Sequence, residues 1–384
     1  MDAPGVIVIG SGPAGVSAAE AFRAHDEIRP VRIFTEDPDL PYARPPLSKE
    51  YLRGDTDDVA LHPPQWFRER SIEVVDGATL EHIDVAGRRV TAGGTSVPYE
   101  TLVLACGARP TPLPIPGGDA ALQLRSLADA TRLRRAGAQA SSAVVIGAGF
   151  IGCEAAASLA LQGVTVTLVA PDTVPQEQRL GAEAGERLLG LLNAAGVRYA
   201  GGVAVQAIDG RAVLFDNGVT LDTDLVLAAT GVTPNSEAAQ AAGLRVEQSR
   251  IVVGADMRTS AEGVFAAGDV AWAFNTTAGR PLAVEHWQDA IDQGTVAGTG
   301  AAGGSAKWDS LPGFWTTIGD TTIKYHAWGD GYQRSRLLSR DHGFTVWYET
   351  DGAAVGVLTC NADGDYDLGE TLIAEGRPVP VPLD

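Results

Sequence analysis

Cysteine is scarce: the 384 residues contain only three, Cys106, Cys153 and Cys360. They form neither a CxxC nor a CxxxxC pair, so their spacing suggests no disulfide framework and no zinc site, and they read as small buried hydrophobes. Long apolar runs are missing too. Nothing approaches the roughly 18 uninterrupted apolar residues of a membrane span, and VIVIG begins at Val6, which leaves no room ahead of it for the charged and apolar segments of a signal peptide. A cytoplasmic protein without membrane contact is therefore expected. Basic charge is low as well: 29 Lys and Arg face 48 Asp and Glu, a formal net charge of −19. Nucleic acid requires a basic face, so it is excluded as a partner. An acidic protein partner needs a local patch of Arg and Lys against the averaged field. The six histidines show no ligand spacing, and no metal is expected.

What the chain has in quantity is glycine, 46 residues, and part of it forms an internal repeat. VIVIGSGPAG (6–15) and VVIGAGFIG (144–152) are each an apolar β run feeding a glycine-rich turn and then an alanine-rich helical stretch. Each is followed by another apolar run, VRIF (31–34) and VTVTLV (164–169), so both copies read as strand, turn, helix, strand. The proline-rich PTPLPIPGG (110–118) is neither helix nor central strand and reads as the exit from the first unit, with GVTPN (231–235) as the return. From about residue 309 short apolar strands alternate with turn residues, as in an antiparallel sheet, and the tail RPVPVPLD is expected to be extended. The fold expected is α/β: two Rossmann-like dinucleotide-binding domains, one discontinuous over 1–112 and 233–308 and one over 113–232, plus a C-terminal α+β domain over 309–384.

In GSGPAG the first glycine permits the tight turn, the second lets backbone approach a pyrophosphate, and the third lets helix pack closely on strand. Glu36, at the end of the second strand, is placed to accept both ribose hydroxyls of an adenosine. GAGFIG has the same three glycines, but Ala170 stands where that carboxylate belongs and no arginine is beside it. The second site should therefore discriminate little between NAD and NADP, or bind weakly, unless Asp172 or Arg179 reaches in. LVLACGARP (102–110) and LVLAATGVTPN (225–235) are strands ending in a small residue and glycine, which suits close approach of backbone to a ligand. GVFAAGDVA (263–271) delivers Gly268 and Asp269 to a strand's carboxyl end.

Together, GSGPAG with Glu36, RPPLSK, LACGARP, GAGFIGCE, ATGVTPN, VFAAGDVA and EHW resemble the FAD-dependent pyridine nucleotide reductases, and more narrowly the ferredoxin reductases of bacterial oxygenase and cytochrome P450 systems, a branch that includes apoptosis-inducing factor. The likeness runs from about residue 5 to 300 and is looser beyond. It implies FAD on Gly10, Gly12, Pro13, Ala14, Gly15, Glu36, Arg44, Lys49, Ala78, Ala105, Gly107, Arg125, Gly268, Asp269, Glu285, His286 and Trp287. It implies NADH or NADPH on Gly147, Gly149, Phe150, Ile151, Glu154 and Gly231, with Glu285, His286 and Trp315 on the walls of the nicotinamide pocket; as a residue type, His286 reads as an ordinary hydrogen-bonded group ahead of a proton-transfer group. A ferredoxin or similar small iron–sulfur protein is the implied electron acceptor, and a homodimer is compatible with the sequence.

Disulfide-reducing relatives carry a redox cysteine pair in the segment matching RPPLSK; here there is none. What remains is a cation, Lys49, which the family pairs with a glutamate matching Glu154. A buried lysine is costly unless paired, and near flavin N5 and O4 an ammonium favours the anionic reduced ring. The competing assignments are a solvated loop lysine and a carboxylate favoured by a helix N-terminus. Cys106, at a strand end where the family often has threonine, is oxidisable in principle. Two other activities remain open: an NADH oxidase or flavin-linked disulfide reductase, and an NADH-responsive redox sensor like apoptosis-inducing factor. Ile318, where oxygenase-type reductases often have glutamine, gives the sensor some support.

Overall fold

The computed structural model describes residues 4–380. Residues 377–380 are neither helix nor strand, and the rest of the tail expected to be extended lies outside the described residues. The chain divides into two compact units: one takes residues up to 43, 60–109 and 233–313, the other 44–59, 110–232 and 314 onward.

In the first unit the run GVIVI forms the strand Gly5–Ile9, apolar and buried at every position. An uninterrupted apolar strand is what a parallel sheet covered on both faces requires. Its neighbours are Val31–Phe34 on one side and Thr95–Leu104 on the other, both parallel to it; Ile72–Val75 extends the first flank and Val264–Ala266 the second. Strand order thus reverses at Gly5–Ile9, and the crevice beyond the carboxyl ends of the strands at such a reversal is where open α/β sheets bind ligands. The helix Pro13–His25 packs against the helix Trp287–Ala301. That contact is backbone-close, since a Cβ on Gly294 would lie 2.2 Å from the Ala14 carbonyl oxygen and one on Gly298 2.1 Å from that of Ala18.

The second unit repeats the plan. Arg198–Gly201, Thr165–Ala170, Ser142–Ile146 and Leu225–Ala228 form a parallel sheet in that order, again reversing at the strand that feeds the glycine turn. A three-stranded meander over Val205–Asp209, Ala212–Phe215 and Thr220–Asp222 closes the core, in which Ile208, Val213 and Phe215 cluster with Val144, Ile146 and Val169. From Gly313 a five-stranded sheet follows, with the order Gly313–Ile318, Thr321–Ala327, Ala353–Cys360, Gly343–Thr350, Arg334–Arg340. Its pairings over 321–360 are antiparallel. The helix Asp363–Ala374 lies on it so closely that a Cβ on Gly369 would sit 2.4 Å from Val357 Cγ1.

Candidate functional site

Each glycine turn is built by the same contacts. Gly10 has φ +108° and Gly147 φ +103°, a region L side chains rarely adopt. A Cβ would meet the carbonyl oxygen of Ala105 at 2.1 Å in the first and of Ala229 at 2.3 Å in the second. The third glycines repeat the symmetry, because a Cβ on Gly15 would lie 1.9 Å from Gly10 O and one on Gly152 2.0 Å from Gly147 O. The second glycine of the later turn is open: the nearest atom to a Cβ on Gly149 is Gln176 Nε2 at 4.0 Å. Helices Pro13–His25 and Phe150–Leu161 both begin at these glycines with no side-chain cap, whereas Leu127–Gly137 carries a full capping box from Ser126 and Asp129. Their first N–H groups are thus left for an anion, and a dinucleotide pyrophosphate fits both turns.

The remainder of the first-unit site is pinned by small polar bonds. Ser11 Oγ donates to Thr35 Oγ1 at 2.9 Å, and the Ala78 N–H to the Thr35 carbonyl at 2.7 Å. The expected backbone contribution of Ala78 to an adenine therefore does not come from its N–H. Glu36 follows this knot, exposed, with no hydrogen-bond or ion-pair partner among the described residues. It fits an adenosine ribose. Gly268 donates its N–H to Gln293 Oε1 at 2.9 Å, which fixes the Gly268–Asp269 turn against the last helix of the unit. Arg250 donates to the Asp269 carbonyl at 3.2 Å and pairs with Glu285. His286 precedes the helix Trp287–Ala301, with Nδ1 3.3 Å from Asp289 Oδ2. Ala105 is buried and Gly107 takes φ +61° at the end of the neighbouring strand. These residues, with Gly12, Pro13 and Ala14, present a lining compatible with FAD.

The second unit holds the charge centre. Pro45 and Pro46 start a short 3-10 turn, Pro45–Ser48, and the helix Glu50–Arg53 follows directly, so Lys49 sits at the joint with its side chain turned inward. Lys49 and Glu154 are 6% exposed each, and Lys49 Nζ lies 2.8 Å from Glu154 Oε2. A solvated loop lysine is thereby excluded. Glu154 Oε2 also accepts from Ser48 Oγ at 2.5 Å, and Oε1 accepts from Thr316 Oγ1 at 2.7 Å. One turn along the same helix, Ser158 Oγ donates to the Ser48 carbonyl at 2.8 Å. Positions 154 and 158 share a helix face, so one face grips the lysine turn twice. Such saturation is what a buried ion pair needs to offset its desolvation.

Beside it Phe150 packs on Phe314, centroids 4.5 Å apart, with the Arg179 guanidinium 5.8 Å above the first ring and 5.6 Å above the second. Trp315 points outward, 49% exposed, and Ile151 is 39% exposed. Gly231 accepts from Thr111 N–H at 2.9 Å, while Arg44 and Arg125 are half-buried in this unit. Ser48, Ser158, Thr316, Gln293 and Arg250 are absent from the sequence reading. A sequence signal existed for two of them: the spacing of four between Glu154 and Ser158, and the strand alternation that sends Trp315 out and Thr316 in. No thiol joins the cluster. Cys153 neighbours Glu154 in sequence but is fully buried, and no group of metal-ligating residues is found among the described residues.

A family model described as pyridine nucleotide-disulphide oxidoreductase matches residues 4–294. Rhodocoxin reductase of Rhodococcus erythropolis is 36% identical over 387 residues, covering 97% of this chain and 90% of that protein. The anthranilate 1,2-dioxygenase system ferredoxin–NAD(+) reductase component of Burkholderia cepacia is 32% identical, covering 98% and 95%. Among solved structures, the covalent putidaredoxin reductase–putidaredoxin complex superposes with a TM-score of 0.93 at 29% identity, covering 99% of this chain and 95% of that one.

Proposed function

The chain belongs to the pyridine nucleotide-disulphide oxidoreductase family, and from that premise we propose that it is an FAD-dependent NAD(P)H:ferredoxin reductase serving a P450 or an oxygenase. The observation that carries the reading is a buried Lys49–Glu154 pair, its carboxylate accepting on both oxygens and no thiol beside it, in a chain with two pyrophosphate-ready glycine turns. Bound FAD supplies the chemistry, accepting a hydride from NAD(P)H and releasing two electrons one at a time.

The protein's own residues bind and bias. In the proposal the first turn and Glu36 hold the adenosine diphosphate half of FAD, and the second turn takes the coenzyme pyrophosphate. Lys49 keeps a fixed positive charge for the reduced ring. Glu154 holds that ammonium in place, Ser48 and Thr316 hold Glu154, and Phe150 and Trp315 wall the nicotinamide. The disulfide-reducing alternative loses ground because no thiol meets the Lys49–Glu154 cluster, and burial raises all three thiols, those of Cys106 and Cys153 to about 12. No helix among the described residues is long and apolar enough to cross a membrane.

The test is cytochrome c reduction by the flavin-loaded protein with NADH or NADPH, with and without small [2Fe–2S] ferredoxins. A rate that depends on ferredoxin is expected. Full flavin reduction with no ferredoxin-dependent rate, and oxygen consumption instead, would overturn the reading in favour of an oxidase.

A further inference from the structure

We infer that the coenzyme site of the second unit accepts NADH and NADPH with nearly equal efficiency, because neither a carboxylate nor a guanidinium is presented at the ribose end of its second strand. The inference rests on the reductase reading above and sharpens it.

A carboxylate at the tip of the strand after a glycine turn accepts the 2′- and 3′-hydroxyls of the adenosine ribose and repels a 2′-phosphate, while an arginine there does the reverse. In the first unit Glu36 occupies that tip, exposed and unpartnered. In the second the tip is Ala170, 5% exposed, its carbonyl accepting from the Val203 N–H at 3.3 Å. The next acid, Asp172, is held by local bonds to one carboxylate oxygen and to its carbonyl. Its Oδ1 accepts from Gln178 Nε2 at 2.7 Å, and its carbonyl accepts from the Tyr199 hydroxyl at 2.8 Å and the Gly202 N–H at 3.1 Å. Glu177 is held as well, taking the N–H groups of Thr173 and Val174 at 2.8 and 3.4 Å. The nearby cation, Arg179, lies over the rings of Phe150 and Phe314. With the loop after Ala170 tied from both flanks, none of these charges is poised to read the 2′ position.

The experiment is anaerobic stopped-flow reduction of the flavin-loaded protein by NADH and by NADPH. The second-order reduction constants are expected to agree within about tenfold, a smaller gap than one charge-assisted hydrogen bond produces; a larger ratio in either direction overturns the inference while leaving an oxidoreductase. Reduction by neither nucleotide overturns this inference and the reductase reading together. Ala170→Glu is expected to raise the NADH:NADPH ratio by about tenfold or more, and an unchanged ratio in a variant that keeps its flavin and its circular dichroism removes position 170 from the argument. Should that variant fail to fold, the wild-type ratio still decides, together with Arg179→Ala. A selective loss of NADPH in Arg179→Ala shows that the guanidinium reads the phosphate and overturns the inference; an unchanged ratio supports it.

Discussion

The two nucleotide-binding folds use one turn and two chemistries. Both glycine turns close over a carbonyl that leaves no room for a side chain, both lead into helices whose first N–H groups are free of side-chain caps, and both stand where strand order reverses. They part at the end of the next strand, where the first fold offers an open carboxylate, Glu36, and the second a buried methyl, Ala170. They part again one helical turn on. The first helix presents Ala14 and Ala18 to Gly294 and Gly298 of a neighbouring helix; the second buries Glu154 against a lysine. Pyrophosphate recognition is thus generic backbone geometry, and what distinguishes a resident cofactor from an exchanging one is written in the side chains around it.

The largest effect should come from attacking the turns themselves. Gly10→Ala is expected to yield protein without flavin, because a Cβ 2.1 Å from the Ala105 carbonyl oxygen must move backbone, at a cost of about 3 kcal/mol or more. Gly147→Ala meets the Ala229 carbonyl at 2.3 Å and should keep a yellow protein that no longer reduces its flavin at ordinary coenzyme concentrations. Flavin absorbance and a coenzyme titration read the two outcomes. Loss of flavin from both variants alike would break the division of labour between the folds.

Next in size is the ion pair. Lys49→Ala leaves Glu154 buried and short of its cation, and removing one member of such a pair costs about 3–5 kcal/mol. Flavin reduction by the coenzyme is expected to slow by more than about tenfold, consistent with the loss of one preorganised charge. An unchanged rate would remove the lysine from the chemistry. Thr316→Val probes the same carboxylate more gently, removing one hydrogen bond at about 1 kcal/mol. Thr316→Ser should restore the rate; a Val variant that loses stability but keeps its rate would make Thr316 a packing residue only.

The difference between these sites and their supports also marks how far the sequence could be read. The turns, their strands, Glu36, Ala170 and the lysine without cysteines were legible because each is a local pattern within about forty residues, the scale of a βαβ unit. Ser48 and Thr316 were not, since they reach Glu154 across 106 and 162 positions, and alternation that turns Thr316 inward does not name the partner it meets. The grouping of residues 44–59 with the second unit was hidden for the same reason: a segment's local pattern does not name the body it packs on. Glu285 is also the ion-pair partner of Arg250, a pairing between the start of a strand and the loop before the last helix of the unit that spacing does not show.

The smallest effect concerns two of the three thiols, one per nucleotide-binding fold; the third, Cys360, ends a strand of the C-terminal sheet. Cys106 is half-buried at a strand end, where burial pushes its thiol up to about 12, with the charges of Glu36 and Glu237 adding to the rise. Cys153 is enclosed in the helix, raised to about 12 by burial and then by Glu154. At pH 8 the thiolate fraction of either is on the order of one in ten thousand, so iodoacetamide should label neither in the folded protein and both after denaturation. The sign of the linkage follows. Unfolded thiols ionise near pH 8.5 to 9 while the folded ones stay protonated, so the stability tied to these groups is intact below about pH 9 and declines as pH rises toward 12. Denaturation midpoints measured from pH 7 to 10 should therefore be level at first and then fall. Fast labelling of Cys106 at pH 8 with Cys153 silent would separate the two folds a third time, and it would return Cys106 to the list of groups that exchange electrons.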